Sequence, residues 1–90
     1  MPNTKSAKKR ERQRIKRTLR NKHIRSTYRT FVKRVRYAIE RGDKETVKKY
    51  LPIAISKIDW AWSKGVIHKN KAARLKSRLM IQANKLLAGE

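Results

Sequence analysis

The stretch IRSTYRTFVKRVRYAIERG, residues 24–42, decides the fold. Its apolar residues Ile24, Tyr28, Phe31, Val32, Val35, Ala38 and Ile39 recur at spacings of three and four, the mark of one buried face on an α-helix. Gly42 closes the pattern, because glycine enters the left-handed conformation that ends a helix without a Cβ penalty. Strand-like alternation is absent here and elsewhere in the sequence.

Toward the C-terminus the same grammar repeats twice, with pieces that run up to Gly65 and Gly89. Asp43 reads as an N-cap, and Glu45 falls in the following first turn, where the helix dipole favours an acid. The second stripe is Val47, Leu51, Ala54, Ile58, Ala61 and Trp62, and the third is Ala72, Leu75, Leu79, Ala83 and Leu86. Val66 occupies the place of the apolar residue that closes a C-terminal cap, and a third helix should begin between Ile67 and Asn70. Pro52 predicts a kink or restart in the second helix. Ile53 and Trp60 stand off its stripe, through burial on two sides or a phase shift at Pro52, with packing the simpler account. The expected fold is all-α, an antiparallel three-helix bundle with a long, projecting basic first helix. Residues 1–90 form one domain in this reading, with a basic helical extension at 1–22 and bundle helices at 23–41, 43–64 and 67–88.

Toward the N-terminus lies KSAKKRERQRIKRTLRNK, residues 5–22, with ten cationic side chains and one acid, Glu11. In a helix, Lys8 and Arg12, Arg10 and Arg14, Arg12 and Lys16, and Lys16 and Arg20 are i,i+4 pairs of like charge, each costing a few tenths of a kcal/mol. A first helix from about Ser6 to Arg41 would run roughly 50 Å against about 30 Å for the others, so about 20 Å should project. Ile15 and Leu19 fall about 160° around the helix from the Tyr28 face. They either touch a partner or are simply exposed, unless the helix bends near Asn21. Alone, this segment should fray, and an external polyanion must supply the missing negative charge.

The whole chain carries 27 Lys and Arg against 6 Asp and Glu, a formal net charge of +21, which points to nucleic acid first and an anionic membrane second. Ten of the twelve arginines lie between Arg10 and Arg41, and arginine's planar fork suits phosphate. Cysteine is absent, which removes disulfides and thiolate metal sites and argues for an intracellular chain. No apolar run reaches the roughly 18 residues of a membrane span, and two large apolar residues in 5–22 make a poor interfacial helix. His23 and His68 are far apart and lack acid neighbours at ligand spacing, so the expectation is no metal, no cofactor, no small-molecule substrate and no catalysis. Asp59 reads as a partner for solvent or a nearby lysine, and His68 as a helix-start residue or an RNA contact.

In the third helix, Asn70, Ala73 and Ser77 lie opposite the apolar stripe, flanked by Lys69, Lys71, Arg74, Lys76 and Arg78. Small residues admit a backbone, long cations reach around it, and Asn70 and Ser77 can hydrogen-bond phosphate or ribose. Composition alone does not choose the nucleic acid; no apolar heptad continues the long helix into a zipper and no zinc finger is present, while a duplex or folded RNA read by shape fits a rigid basic helix well.

NTKSAKKR near the start, RTFVKRV at 29–35 and KGVIHKNKAARLKSRL at 64–79 resemble the bacterial small-subunit ribosomal protein twenty family over nearly the whole chain. The third element is the most specific: Gly65, Ile67, His68, Lys69, Asn70, Lys71, Ala72, Ala73 and Arg74 match the family signature in register. The resemblance implies a cytoplasmic, ribosome-bound structural protein that binds 16S ribosomal RNA through its 5′ domain and its penultimate helix and stabilises that RNA during assembly of the small ribosomal subunit. It assigns RNA contact to Lys8, Lys9 and Arg10 and to Lys69, Asn70, Lys71 and Arg74. Charge density and helix face extend the expected contacts to Lys5, Arg12, Arg14, Lys16, Arg17, Arg20, Lys22, Arg25 and Arg29, and to Ser77 and Arg78. A nucleoid protein coating DNA is the main rival reading, and an enzyme or regulator of acidic partners the second.

Overall fold

The computed structural model describes residues 5–89 as three α-helices in sequence, α1 (Lys5–Arg41), α2 (Lys44–Ser63) and α3 (Lys69–Ala88). Asn3 and Thr4 of the NTKSAKKR element, like the rest of residues 1–4 and Glu90, lie outside the described residues. The helices form an antiparallel bundle in which α2 packs most extensively on α1, and α1 and α3 touch least.

The turns explain the topology. Gly42 takes φ +70° and donates to the Ile39 carbonyl at 3.1 Å, while the Asp43 N–H reaches the Ala38 carbonyl at 2.9 Å. Gly65 repeats this geometry with φ +73°, donating to Trp62 at 2.9 Å while Val66 donates to Ala61 at 3.0 Å. Both are Schellman closures, in which a left-handed glycine lets two orphan carbonyls find partners. Asp43 closes α1 with its backbone and opens α2 with its side chain, accepting from the Thr46 N–H at 3.2 Å and the Thr46 hydroxyl at 2.6 Å. Those two donors hold its carboxyl below the usual carboxylate range. Gly89 differs from the expectation: at φ −73° it stays right-handed, donating to Lys85 at 3.1 Å.

The main core joins Ile24, Tyr28, Val32 and Val35 of α1 to Ala54, Ile58 and Ala61 of α2 and to Ile67, Ala72 and Leu79 around α3. A smaller cluster of Ala38, Val47 and Ala83 fills the end near the first turn. Two expectations for α2 are corrected. Of the kink or restart expected at Pro52, the restart is overturned, since α2 runs unbroken through it; Pro52 and Lys48, whose carbonyl loses its i+4 donor, are both exposed, so the lost bond lies on the solvent side. Trp62 is 45% exposed and does not extend the core stripe, because it sits in the last turn just before the chain turns away. Trp60 packs inward instead, edge-on to His23 of α1 at 6.4 Å between ring centroids. α2 is buried on two sides: Lys57 and Trp60 meet α1, and Asp59 meets Lys76 of α3 at 2.7 Å.

Candidate nucleic-acid interface

α1 is one helix of 37 residues, about 55 Å long, against 20 residues and about 30 Å for α2 and α3. The first buried residue of α1 is Ile24, so the part from Lys5 to Arg20, about 24 Å of helix, stands clear of the core. It gives the molecule its 65 × 21 × 15 Å outline. Lys5, Lys8, Lys9, Arg10, Arg12, Arg14, Lys16, Arg17 and Arg20 are all exposed on it, as are Ile15 at 50% and Leu19 at 62%.

At 100° per residue, Lys8, Arg12, Lys16 and Arg20 form one ascending row, while Arg10, Arg14 and Arg17 fall on the opposite side. The second row stands on the face that carries Ile24, Tyr28 and Val35 farther along. Core ends where arginine replaces those apolar residues on the inward face. Glu11 offsets little of this charge: it pairs with Arg14 at 2.5 Å, both groups being exposed, and a surface pair of this kind is weak. The Arg14 hydrogen bond, then its charge, lowers the Glu11 carboxyl below its ordinary range.

The topology brings the root of this arm to the start of α3. Arg20 donates to the Lys64 carbonyl at 3.4 Å in the α2–α3 connection. There His68 caps α3, its Nδ1 accepting from the Asn70 N–H at 3.1 Å, and the first turn of α3 contains no acid. A helix N-terminus ringed by Lys69 and Lys71 in place of carboxylates favours an anion from outside. Asn70, Arg74, Ser77 and Arg78 are exposed on the outer side of α3. Lys69 points roughly 200° around α3 from Lys71, so these two do not share a face. Lys76, expected among the flanking cations, is turned to Asp59 instead.

Lys22, Arg25 and Arg29 are exposed on the bundle part of α1, and Arg29 does more than stand on a surface. With Lys33 and Arg36 of α1 and Lys71 of α3, it rims a cleft over Tyr28, Val32 and Leu75, and no acid lines that cleft. Sequence reading omitted Lys33 and Arg36. Their i, i+4, i+7 spacing from Arg29 was visible, but which helix stood across from them was not. The α1–α2 seam is different: Arg34 lies 5.4 Å from the Phe31 ring and 5.7 Å from Tyr50, and Lys57 lies 5.3 Å from Trp60, so ring faces hold those cations. Among the described residues, no cluster of three His, Cys, Asp or Glu is placed to hold a metal, and no helix is long and apolar enough to cross a membrane.

A family profile described as "Ribosomal protein S20" matches residues 2–84. A protein of Citrifermentans bemidjiense named small ribosomal subunit protein bS20 is 54% identical over 86 residues, 96% of this chain and 99% of its own length. Proteins of the same name from Natranaerobius thermophilus and Clostridium kluyveri are 51% and 48% identical, covering 96% and 98% of this chain and 98% and 100% of theirs.

Proposed function

The chain belongs to the ribosomal protein S20 family, structural components of the small ribosomal subunit and not enzymes, and from that premise we propose that it binds 16S ribosomal RNA directly and stabilises its fold during subunit assembly. The observation that carries this reading is the helical arm from Lys5 to Arg20, exposed and cationic on two opposite sides with Glu11 as its one acid. A helix charged on both sides neutralises phosphates on both, lowering the repulsion between RNA segments brought together, and counterion release supplies affinity. The 5′ domain and the penultimate helix of 16S RNA are the segments assigned to it. The second contact surface is the outer side of α3, with Asn70, Arg74, Ser77 and Arg78, flanked by Lys69 on one edge and by Lys71 on the other, and the whole chain acts as one RNA-binding unit in the bacterial cytoplasm.

The test is binding of the purified protein to the 5′ domain of 16S RNA and to duplex DNA of equal length across a salt series. Selective RNA binding that survives moderate salt is expected. Equal affinity for both, lost in parallel as salt rises, identifies a general polyanion binder and overturns the proposal.

A further inference from the structure

We propose that the cleft between α1 and α3 is a track for one ribose-phosphate strand of RNA, in which Lys33 and Arg36 contact phosphates alongside Arg29 and Lys71. The inference rests on the RNA-binding reading above and adds two residues and a path to it. The cleft has four cations on its rims and no acid along its lining. Its floor is apolar, with Tyr28 and Val32 buried and Leu75 half-buried. A groove lined by one sign of charge over a low-dielectric floor concentrates the field, which draws a polyanion in and holds it there.

The spacing also fits. Arg29, Lys33 and Arg36 rise about 10 Å along α1, so their charges form a line along one wall of the cleft and not a single point. Beyond Arg36 the cleft continues past Gln82 and Lys85, and Glu40 is the first acid along its walls. The cationic part of the track is therefore the half nearest the arm. Arg34 and Lys57, equally basic but set over aromatic rings on the α1–α2 seam, mark by contrast a face whose charge is already answered within the protein.

The experiment compares two full-length variants of equal charge loss, Lys33→Gln/Arg36→Gln in the cleft and Arg34→Gln/Lys57→Gln on the seam. Affinity for the 5′ domain of 16S RNA is titrated across a salt series, with circular dichroism to show that each variant is folded. The cleft variant should bind about tenfold to a hundredfold more weakly at fixed salt, with the slope of log affinity against log salt shallower by about 1.5 to 2. The seam variant should lose less than about threefold, with its slope nearly unchanged. Equal losses in the two variants, or a cleft variant that binds like the unaltered protein, overturn the track and leave the RNA-binding reading intact. Failure of the unaltered protein to bind RNA in the same titration overturns both.

Discussion

Removing residues 1–22 deletes ten cations and Glu11 but no residue of the core, which begins at Ile24. The truncated bundle should therefore melt within a few degrees of the full chain, since no buried side chain among the described residues is lost and the hydrogen bond from Arg20 to the Lys64 carbonyl is a long one at 3.4 Å. RNA binding should respond quite differently. Each phosphate neutralised contributes about 0.9 to the slope of log affinity against log salt on a duplex. If RNA meets only the row of Lys8, Arg12, Lys16 and Arg20, truncation lowers that slope by about 4. If RNA also meets Arg10, Arg14 and Arg17 on the other side, the drop approaches 6. A salt series on both proteins, with melting followed by circular dichroism, gives the slope and the stability together. A drop below about 1 with affinity retained would refute the assignment of the arm as a contact surface, and an unfolded truncation would refute its independence from the core.

Four substitutions test the bundle itself. Gly65→Ala should cost about 1–2 kcal/mol in urea unfolding, purely from its φ of +73°, since an added Cβ there meets nothing within 4 Å. Asp43→Ala should lower the urea midpoint near pH 7, because it removes the acceptor that caps α2 at the Thr46 N–H. The Asp43 carboxyl titrates lower folded than unfolded because Thr46 donates to it, so its contribution is complete above the ordinary carboxylate value of about 4 and fades as pH falls through the folded value; the gap between the parent and Asp43→Ala should close toward acid. Leu79→Ala, at a fully buried position, should cost about 2–5 kcal/mol, and Trp62→Ala less than half as much, measured by the same unfolding curves.

The helices and their turns were legible because each signal was local. A three-and-four stripe, a glycine at C′ and an acid at the N-cap report on residues within one turn of each other, and Gly42, Asp43 and Gly65 behave as their positions require. Trp60 packs as its off-stripe position allowed, whereas Trp62 was misplaced in the core stripe, because periodicity gives an angle on a helix but not whether a neighbour covers that angle. The restart considered at Pro52 does not occur for a related reason: the proline's cost depends on whether the orphaned carbonyl meets solvent, which sequence does not display. The charge of the candidate interface was plain from composition, whereas its cleft was hidden, because Arg29, Lys33 and Arg36 become a rim only when Lys71, distant in sequence, is set opposite them.

The continuity of α1 has a mechanical consequence. Because the same helix fills the core and forms the arm, the core serves as a phase reference for every side chain on the arm. One residue inserted between Asn21 and Lys22 would leave composition, charge and bundle nearly unchanged, yet would turn the arm by about 100° and advance it by about 1.5 Å. Arg10, Arg14 and Arg17 would then face a direction that Lys8, Arg12 and Lys16 do not replace. The chain length between Ile24 and Lys5 thus acts as a stored dial setting, and selection on this protein should tolerate exchanges of lysine for arginine along the arm far more readily than the gain or loss of a single residue within it.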